Sequence, residues 1–149
     1  MPIKTLFPML LACLAVTACD RVDPNSPVGQ RKAIFKEMMS TSEDLGGMLR
    51  GRIPFEAAEF SAGALKLDEL SHKPWQHFPQ IAEQEKSSAK PELWQRQEHF
   101  QALVREMEAA TGALVEATQV SPLRKSSVTS VMQRVEDACE SCHKDFRAY

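Results

Sequence analysis

The stretch Cys139-Glu140-Ser141-Cys142-His143 lies close to the end of a chain of 149 residues. Apolar residues at helical spacing precede it and predict a helix over 122–147. Two cysteines at i and i+3 share one face of a helix, and His143 follows directly. The sequence therefore places two thiols and an imidazole together at the end of a helix.

The C-x-x-C-H spacing is the attachment signature of a c-type haem. Each thiol can add to one of the two vinyl groups on one porphyrin edge, and the histidine can bind iron from below. We therefore expect one covalent haem c per chain, held by Cys139, Cys142 and the metal ligand His143. Two alternatives are a redox dithiol, which should open a helix after a strand, and a zinc site, which needs two further ligands. The remaining histidines show no such ligand spacing; they are His72, His77 and His99.

Three more helices are predicted upstream. The full set spans residues 28–50, 54–70, 92–118 and 122–147. Ser26-Pro27 and Ser121-Pro122 each read as an N-cap followed by a proline in the first turn. Alternating runs typical of strands are nearly absent. The sequence thus predicts an all-α fold, an antiparallel up-down-up-down four-helix bundle, with a long loop over 71–91 that can cover a ligand.

Two features within these helices carry expectations of their own. The apolar residues assigned to the second helix are Phe55, Ala58, Ala62, Leu65 and Leu70. Gly46-Gly47 lies inside the first helix, where two glycines cost about 2 kcal/mol of helix propensity. The pair therefore suggests close approach of a neighbouring element or of a flat ligand.

Composition restricts the function. The formal net charge is −2, and the basic residues are scattered, so nothing indicates a nucleic-acid partner. Apolar residues make up 43% and charged residues 26%, which is ordinary for a soluble globular domain. The sequence shows neither a general acid/base pair nor a nucleophile triad, so we do not expect an enzyme.

The first eighteen residues have the layout of a secretory signal, with Lys4 followed by an apolar run too short to span a bilayer. The run ends in Val16-Thr17-Ala18-Cys19, which resembles the lipobox of bacterial lipoproteins. The resemblance implies removal of residues 1–18, a lipidated Cys19, a tether over 19–27, and a periplasmic protein anchored to a membrane. The alternative is ordinary signal cleavage that leaves a free Cys19.

The run from Cys139 to Arg147 resembles the cytochrome c′ family of class II c-type cytochromes, in which C-x-x-C-H near the C-terminus is followed by an aromatic residue and an arginine. Further matches are Arg31, Arg50-Gly51 with Pro54-Phe55-Glu56-Ala57-Ala58, Pro74-Trp75 with Phe78, and Lys90-Pro91-Glu92-Leu93-Trp94. The resemblance covers about residues 28–147, so the bundle domain is assigned to 28–149.

The family resemblance implies a haem c protein that binds NO reversibly, binds CO more weakly, and exchanges single electrons. It places Arg31 near a haem propionate, Trp75 and Phe78 in the wall of the haem pocket, and Arg147 over the imidazole of His143. Trp94 is expected to pack in the bundle or anchor the loop. Family members often pair through the first two helices, so a homodimer is possible; the redox partner stays open.

The sixth coordination position decides between two functions. The family's distal position falls on Phe35, which cannot ligate iron but can block that face, and this implies five-coordinate iron. A one-turn shift of register would offer Met38 or Met39 instead, as in electron-transfer relatives of the cytochrome c-556 type. His77 is a third candidate, although a loop histidine is more often solvated.

Overall fold

The computed structural model describes residues 22–79 and 86–149. Its helices are α1 (Pro27–Leu49), α2 (Ala57–Ser71), α3 (Glu92–Gln95), α4 (Gln97–Ala117) and α5 (Lys125–Phe146), with a 3-10 turn over Trp75–His77. The four long helices form the antiparallel up-down-up-down bundle that the sequence predicts. The predicted signal peptide and the lipidation residue Cys19 lie outside the described residues.

The helices pack unequally around the bundle. The contacts of α4 with α5, of α1 with α2 and of α2 with α4 are extensive, whereas α1 and α5 touch at few places. The main core includes the fully buried side chains Leu45, Phe60, Leu114 and Val135. Burial of each such side chain stabilises the fold by about 1.5–3 kcal/mol. The space between α1 and α5 is therefore where this bundle has room for a ligand.

The start of α1 follows its capping signal. The backbone N–H of Gly29 donates to Ser26 Oγ at 3.0 Å, and Pro27 occupies the first turn. After the helix, Gly51 adopts a φ of +74°, a conformation that glycine reaches at little cost. The predicted N-cap and the predicted end of this helix are both confirmed.

Three other predicted helix boundaries are wrong. The second helix begins at Ala57 rather than 54, after an extended Glu56. The third predicted helix is interrupted at Arg96, which separates α3 from α4. The short helix α3 stays attached to the preceding loop, because Trp94 Nε1 donates to Pro79 O at 2.7 Å. The fourth predicted helix begins at Lys125 rather than at residue 122. Ser121 and Pro122 are joined by a cis peptide bond and lie in the turn before this helix, so they do not cap it.

The apolar residues predicted for the second helix are confirmed only in part, since Leu70 is buried and Phe55 packs against the core. Ala58, Ala62 and Leu65 are exposed, whereas the helix buries the adjacent face. Its buried apolar residues are Phe60, Ala64, Leu67 and Leu70. Both faces are apolar at helical spacing, and the face that carries the large aromatic ring of Phe60 buries more area and takes the core.

The glycine pair plays a different role from the one expected. A Cβ at Gly46 would meet the guanidinium of Arg50, and a Cβ at Gly47 would come 3.4 Å from the side chain of Ile53. The chain's own following segment therefore fills this space, rather than another helix or a flat ligand. The close helix contact lies elsewhere, where a Cβ at Gly63 would come 2.8 Å from Cδ2 of Leu45.

No helix among the described residues is both long and apolar enough to cross a bilayer.

Candidate haem-binding site

The two cysteines and the histidine of the C-x-x-C-H string line one cavity of about 520 Å³. This volume falls within the range of roughly 300–1,000 Å³ that small-molecule and cofactor pockets occupy. The last turns of α5 form one wall, and residues 31–43 of α1 form the opposite one. The lining from α1 comprises Arg31, Lys32, Phe35, Lys36, Met38, Met39, Ser42 and Glu43. The cavity thus occupies the poorly packed side of the bundle.

Both thiols are half-buried and carry no disulfide. Burial raises the pKa of Cys139 to about 11, with the carboxylate of Glu136 adding to the effect. Burial likewise raises the pKa of Cys142 to about 11, helped by the neighbouring thiol. Redox-active dithiols have depressed pKa values, so these raised pKa values argue against a thioredoxin-like role. In residues 22–79 and 86–149 no three metal-binding side chains converge on one point.

His143 is half-buried beside the two cysteines. Burial lowers the pKa of its imidazole, and the positive charge of Arg147 lowers it further. Both effects favour the neutral ring, which is the form that can donate a nitrogen lone pair to iron. Arg147 itself is exposed, lies one turn after His143 and lines the same cavity.

The ring of Phe35 enters the cavity from α1. It makes edge contacts with Trp75, at a centroid distance of 5.8 Å, and with Phe78 at 6.3 Å. Both partners also contact Phe100, which in turn meets Phe146. Edge-to-face contacts of this kind add about 0.5–1.5 kcal/mol each beyond burial. The wall around Phe35 is therefore a connected aromatic cluster.

Arg31 fixes the loop that covers the site. Its side chain is only 3% exposed. One nitrogen donates to the backbone O of His77 at 2.9 Å and another to Ser87 Oγ at 2.7 Å. The guanidinium also lies 4.4 Å from the ring centre of Phe78. A single buried cation thus joins α1 to both described arms of the loop.

Trp75 carries the most direct sign of a missing polar partner. Its Nε1 is buried and has no hydrogen-bond acceptor in the described part of the chain, although the residue lines the cavity. A buried N–H without a partner costs about 1–3 kcal/mol. A cofactor that brings an acceptor such as a carboxylate into the cavity would satisfy it. The cavity and its donor set therefore fit a haem.

The alternative distal ligands are placed differently. Met38 is buried in the core and Met39 is exposed, yet both line the cavity. His77 lies in the 3-10 turn and does not line it; the turn offers its backbone carbonyl to Arg31. Trp94 anchors the loop, one of the two roles predicted for it.

Several wall residues escaped the sequence prediction. They include Leu93, Phe100, Met107, Glu136 and Phe146. Phe146 could have been found, because it lies at i+3 from His143 and i+4 from Cys142 on one helix face. The segment 87–90 has no such signal, since it reaches the site through backbone hydrogen bonds from Lys90 N to Phe146 O and from Ala148 N to Ser88 O, both 2.8 Å.

Comparison of the sequence with models of known protein families identifies the family of this chain. The sequence model described as cytochrome C′ matches residues 26–147. The chain belongs to the cytochrome c′ family. It is 28% identical over 122 residues to cytochrome c′ of Rhodopseudomonas palustris, covering 81% of each chain. It is also 24% identical over 148 residues to cytochrome c-556 of Agrobacterium fabrum, covering 99% of this chain and 97% of that one.

Solved structures of cytochromes c′ share the fold. That of Shewanella frigidimarina aligns with a TM-score of 0.79 and 24% identity, covering 87% of this chain and 99% of its own. A variant from Alcaligenes xylosoxidans, solved as a nitric oxide complex, aligns with a TM-score of 0.74 and 23% identity, covering 84% and 98%. Another variant of that protein holds carbon monoxide, and a further cytochrome c′ shows a ligand-controlled dimer dissociation. As a cytochrome c′, the protein binds one covalent haem c per chain.

Proposed function

We propose that this cytochrome c′ binds NO, and CO more weakly, at iron held by a single protein ligand, and that it exchanges single electrons. The haem supplies the iron that binds the gas and takes up the electron. Cys139 and Cys142 are the residues that would form its thioethers, and His143 is the one that would ligate its iron. We propose a binding and carrier role rather than an enzyme.

The position of Phe35 carries this proposal. Its ring lines the same cavity as His143 but projects from the opposite helix, and its contacts with Trp75 and Phe78 restrict it. A phenyl ring cannot ligate iron, and it offers bound dioxygen no hydrogen-bond donor. A small uncharged gas can enter by displacing the ring. The gas complexes solved for the Alcaligenes xylosoxidans protein support a ligand of this kind.

Arg147 is assigned a role on the other face. It lies one turn after His143 and lines the same cavity, and its positive charge lowers the pKa of the imidazole. We propose that this charge opposes imidazolate character in His143 and so keeps the bond to iron weak. Replacement by alanine should raise the iron–histidine stretching frequency; an unchanged frequency contradicts this role.

The visible spectrum tests the distal assignment. We expect the reduced protein to show a broad Soret band and one merged visible band, typical of five-coordinate high-spin iron. Phe35→Met should add a sulfur ligand and give sharp α and β bands, whereas Met38→Leu and Met39→Leu should change little. Sharp bands in the unmodified protein that disappear in either methionine variant would overturn the assignment.

A low-spin electron-transfer cytochrome is the second candidate. Two observations favour it: Met38 and Met39 both line the cavity, and one relative is named cytochrome c-556. The same spectra decide, because a methionine ligand predicts six-coordinate iron that NO binds only after displacing the sulfur.

We further propose that the protein is periplasmic and anchored through lipidated Cys19, on the strength of the signal and lipobox pattern. Cys19→Ser in the full-length chain should release the haem protein from the membrane fraction into the soluble fraction. Retention of the variant in the membrane fraction contradicts the anchor.

Pairing of two copies through α1 and α2 is also proposed. The exposed apolar stripe Ala58, Ala62 and Leu65 on α2 supports it, as does the dimer reported for another cytochrome c′.

A further inference from the structure

The mouth of the cavity has a charge opposite to that of the whole chain. Lys32, Lys36 and Arg147 line the cavity and are exposed, and we name these three residues the basic rim. The complete chain carries a net charge of −2. A local positive charge on a molecule of negative net charge attracts negatively charged partners to this surface and not to the rest of the molecule.

The basic rim comes from two elements that meet at one place. Lys32 and Lys36 are i and i+4 on α1 and so share a face. Arg147 follows α5, and its backbone pairs with Ala89 in an isolated bridge. The end of α5 is held on the loop side by Lys90, whose Nζ donates to the backbone O of Lys144 at 2.9 Å. The positive charge is therefore built by the fold rather than by a run in the sequence.

The rim charges are not neutralised by carboxylates of the described residues. The salt bridges found there involve none of the three rim residues. Lys32 Nζ instead donates to a backbone carbonyl, that of Lys86, at 3.2 Å. Among the described residues two acids line the cavity, Glu43 and Glu136, and Glu136 is paired with Arg50 at 2.9 Å.

An apolar contact point lies beside the rim. Met39 is 57% exposed and lines the same cavity, which is unusual for a large apolar side chain. Transient protein interfaces have an apolar centre surrounded by charged groups, and methionine is enriched in them. Met39 with the basic rim has this composition.

We propose that this surface docks a redox partner protein whose own electron-transfer site is surrounded by Asp and Glu. This inference rests on the electron exchange proposed above. Docking at the mouth brings the partner to the part of the protein where the haem cavity opens to solvent. Opposite charges would raise the association rate and orient the partner, and salt would weaken both effects.

Lysine footprinting tests the surface without any redox reaction. The haem-loaded protein is acetylated with and without poly-L-glutamate, which stands in for an acidic protein surface, and modified sites are read by mass spectrometry. We expect several-fold protection of Lys32 and Lys36, lost at about 0.5 M NaCl, where the Debye screening length is about 4 Å. Lys66, Lys73 and Lys125 should show no protection. Equal protection of all lysines, or protection centred on Lys125, overturns the proposal.

Electron-transfer kinetics test the sign of the local charge. Ferricyanide accepts one electron from the reduced protein to give ferrocyanide, and the cationic tris(phenanthroline)cobalt(III) likewise accepts one. The positive rim predicts that salt slows oxidation by ferricyanide and speeds oxidation by the cobalt complex. The net negative chain predicts the reverse, so a ferricyanide rate that rises with salt overturns the proposal.

Charge reversal supplies the matched comparison. Lys32→Glu with Lys36→Glu should slow ferricyanide several-fold. Arg124→Glu with Lys125→Glu changes the net charge equally, but at the opposite end of α5, about 27 Å from His143 along the helix, and should have little effect. Equal effects of the two double variants contradict a local docking surface. Failure of both oxidants to react, with the footprint intact, would instead refute the proposed electron exchange and leave the acidic-partner surface standing.

Discussion

At the residue scale, Trp75 is the side chain whose chemistry the protein part leaves incomplete. Its buried Nε1 lacks an acceptor among the described residues, whereas Nε1 of the neighbouring Trp94 donates to Pro79 O at 2.7 Å. Trp75 also lines the cavity, whereas Trp94 does not. We therefore expect the bound haem to supply the acceptor for Trp75, while Trp94 already has one in the protein.

This difference predicts a change in reduction potential for one of two matched substitutions and none for the other. Trp75→Phe removes a donor to a haem carboxylate, which leaves more negative charge near the iron and favours the oxidised state. We expect its reduction potential to fall by roughly 30–60 mV, since about 59 mV is tenfold for one electron. Trp94→Phe should leave the potential within a few millivolts, although it also loses a hydrogen bond. Equal shifts in a spectroelectrochemical titration contradict the assignment.

At the residue scale, the haem-attachment residues could be predicted from the sequence. Cys139, Cys142 and His143 are neighbours in the chain, so their spacing alone brings them to one helix face, and the structure places all three on one cavity. The unpaired nitrogen of Trp75 could not be foreseen, because it depends on which loop carbonyls are within reach. The hydrogen bonds of Arg31 to both loop arms have the same origin.

At the element scale, two glycines within helices have opposite surroundings. A Cβ at Gly63 in α2 would come 2.8 Å from Cδ2 of Leu45, a side chain 1% exposed and unable to move freely. A Cβ at Gly112 in α4 would meet only Asp68 Oδ1, at 3.8 Å. The same substitution therefore has different consequences in the two helices.

Gly63→Ala should lower the free energy of unfolding by about 1–3 kcal/mol, because overpacking against Leu45 outweighs the gain in helix propensity. Gly112→Ala should raise it by up to about 1 kcal/mol, because propensity acts there alone. Denaturant titration of both variants measures this. Leu45→Val should partly restore the Gly63 variant, and equal effects of the two alanines would show that Gly63 does not limit the packing.

A buried hydroxyl pair joins α2 to α4. Thr111 Oγ1 lies 3.0 Å from Ser71 Oγ and 2.8 Å from Asp68 Oδ1, and both hydroxyl residues are fully buried. Thr111→Val keeps the shape but removes the hydroxyl that joins the two helices, while Ser71 Oγ still donates to Asp68 O at 2.7 Å. The substitution should therefore cost about 0.5–1.5 kcal/mol of stability. Thr129→Val, exposed on α5, should cost less than about 0.5 kcal/mol. Denaturant midpoints that shift equally in both variants contradict the role of the pair.

Element boundaries show where local signals stop being sufficient. Ser26-Pro27 capped α1 as predicted, because nothing else competes for that turn. The same signal at Ser121-Pro122 failed, since Leu123 packs against the core before α5 begins. On α2, two apolar faces compete at the same spacing, and only packing against α1 and α4 decides between them.

At the scale of the whole molecule, the misassigned face of α2 becomes informative. Leu65 is 50% exposed and continues the stripe of Ala58 and Ala62 on the outside of the bundle. An apolar stripe on an exposed helix is suited to pairing with a copy of itself, since a two-fold axis places the same surface on both sides. This is the surface to which the proposed dimer is assigned.

Leu65→Glu should therefore shift the sedimentation of the haem-loaded protein from dimer to monomer, because it places two carboxylates in the apolar contact. Val120 supplies the control: it is equally exposed, at 50%, but lies in the turn after α4. Val120→Glu should leave the dimer intact, and both variants should keep the visible spectrum, since neither residue lines the cavity. A dimer that survives Leu65→Glu would remove α2 from the interface, and one lost equally in both variants would point to net charge rather than to this stripe.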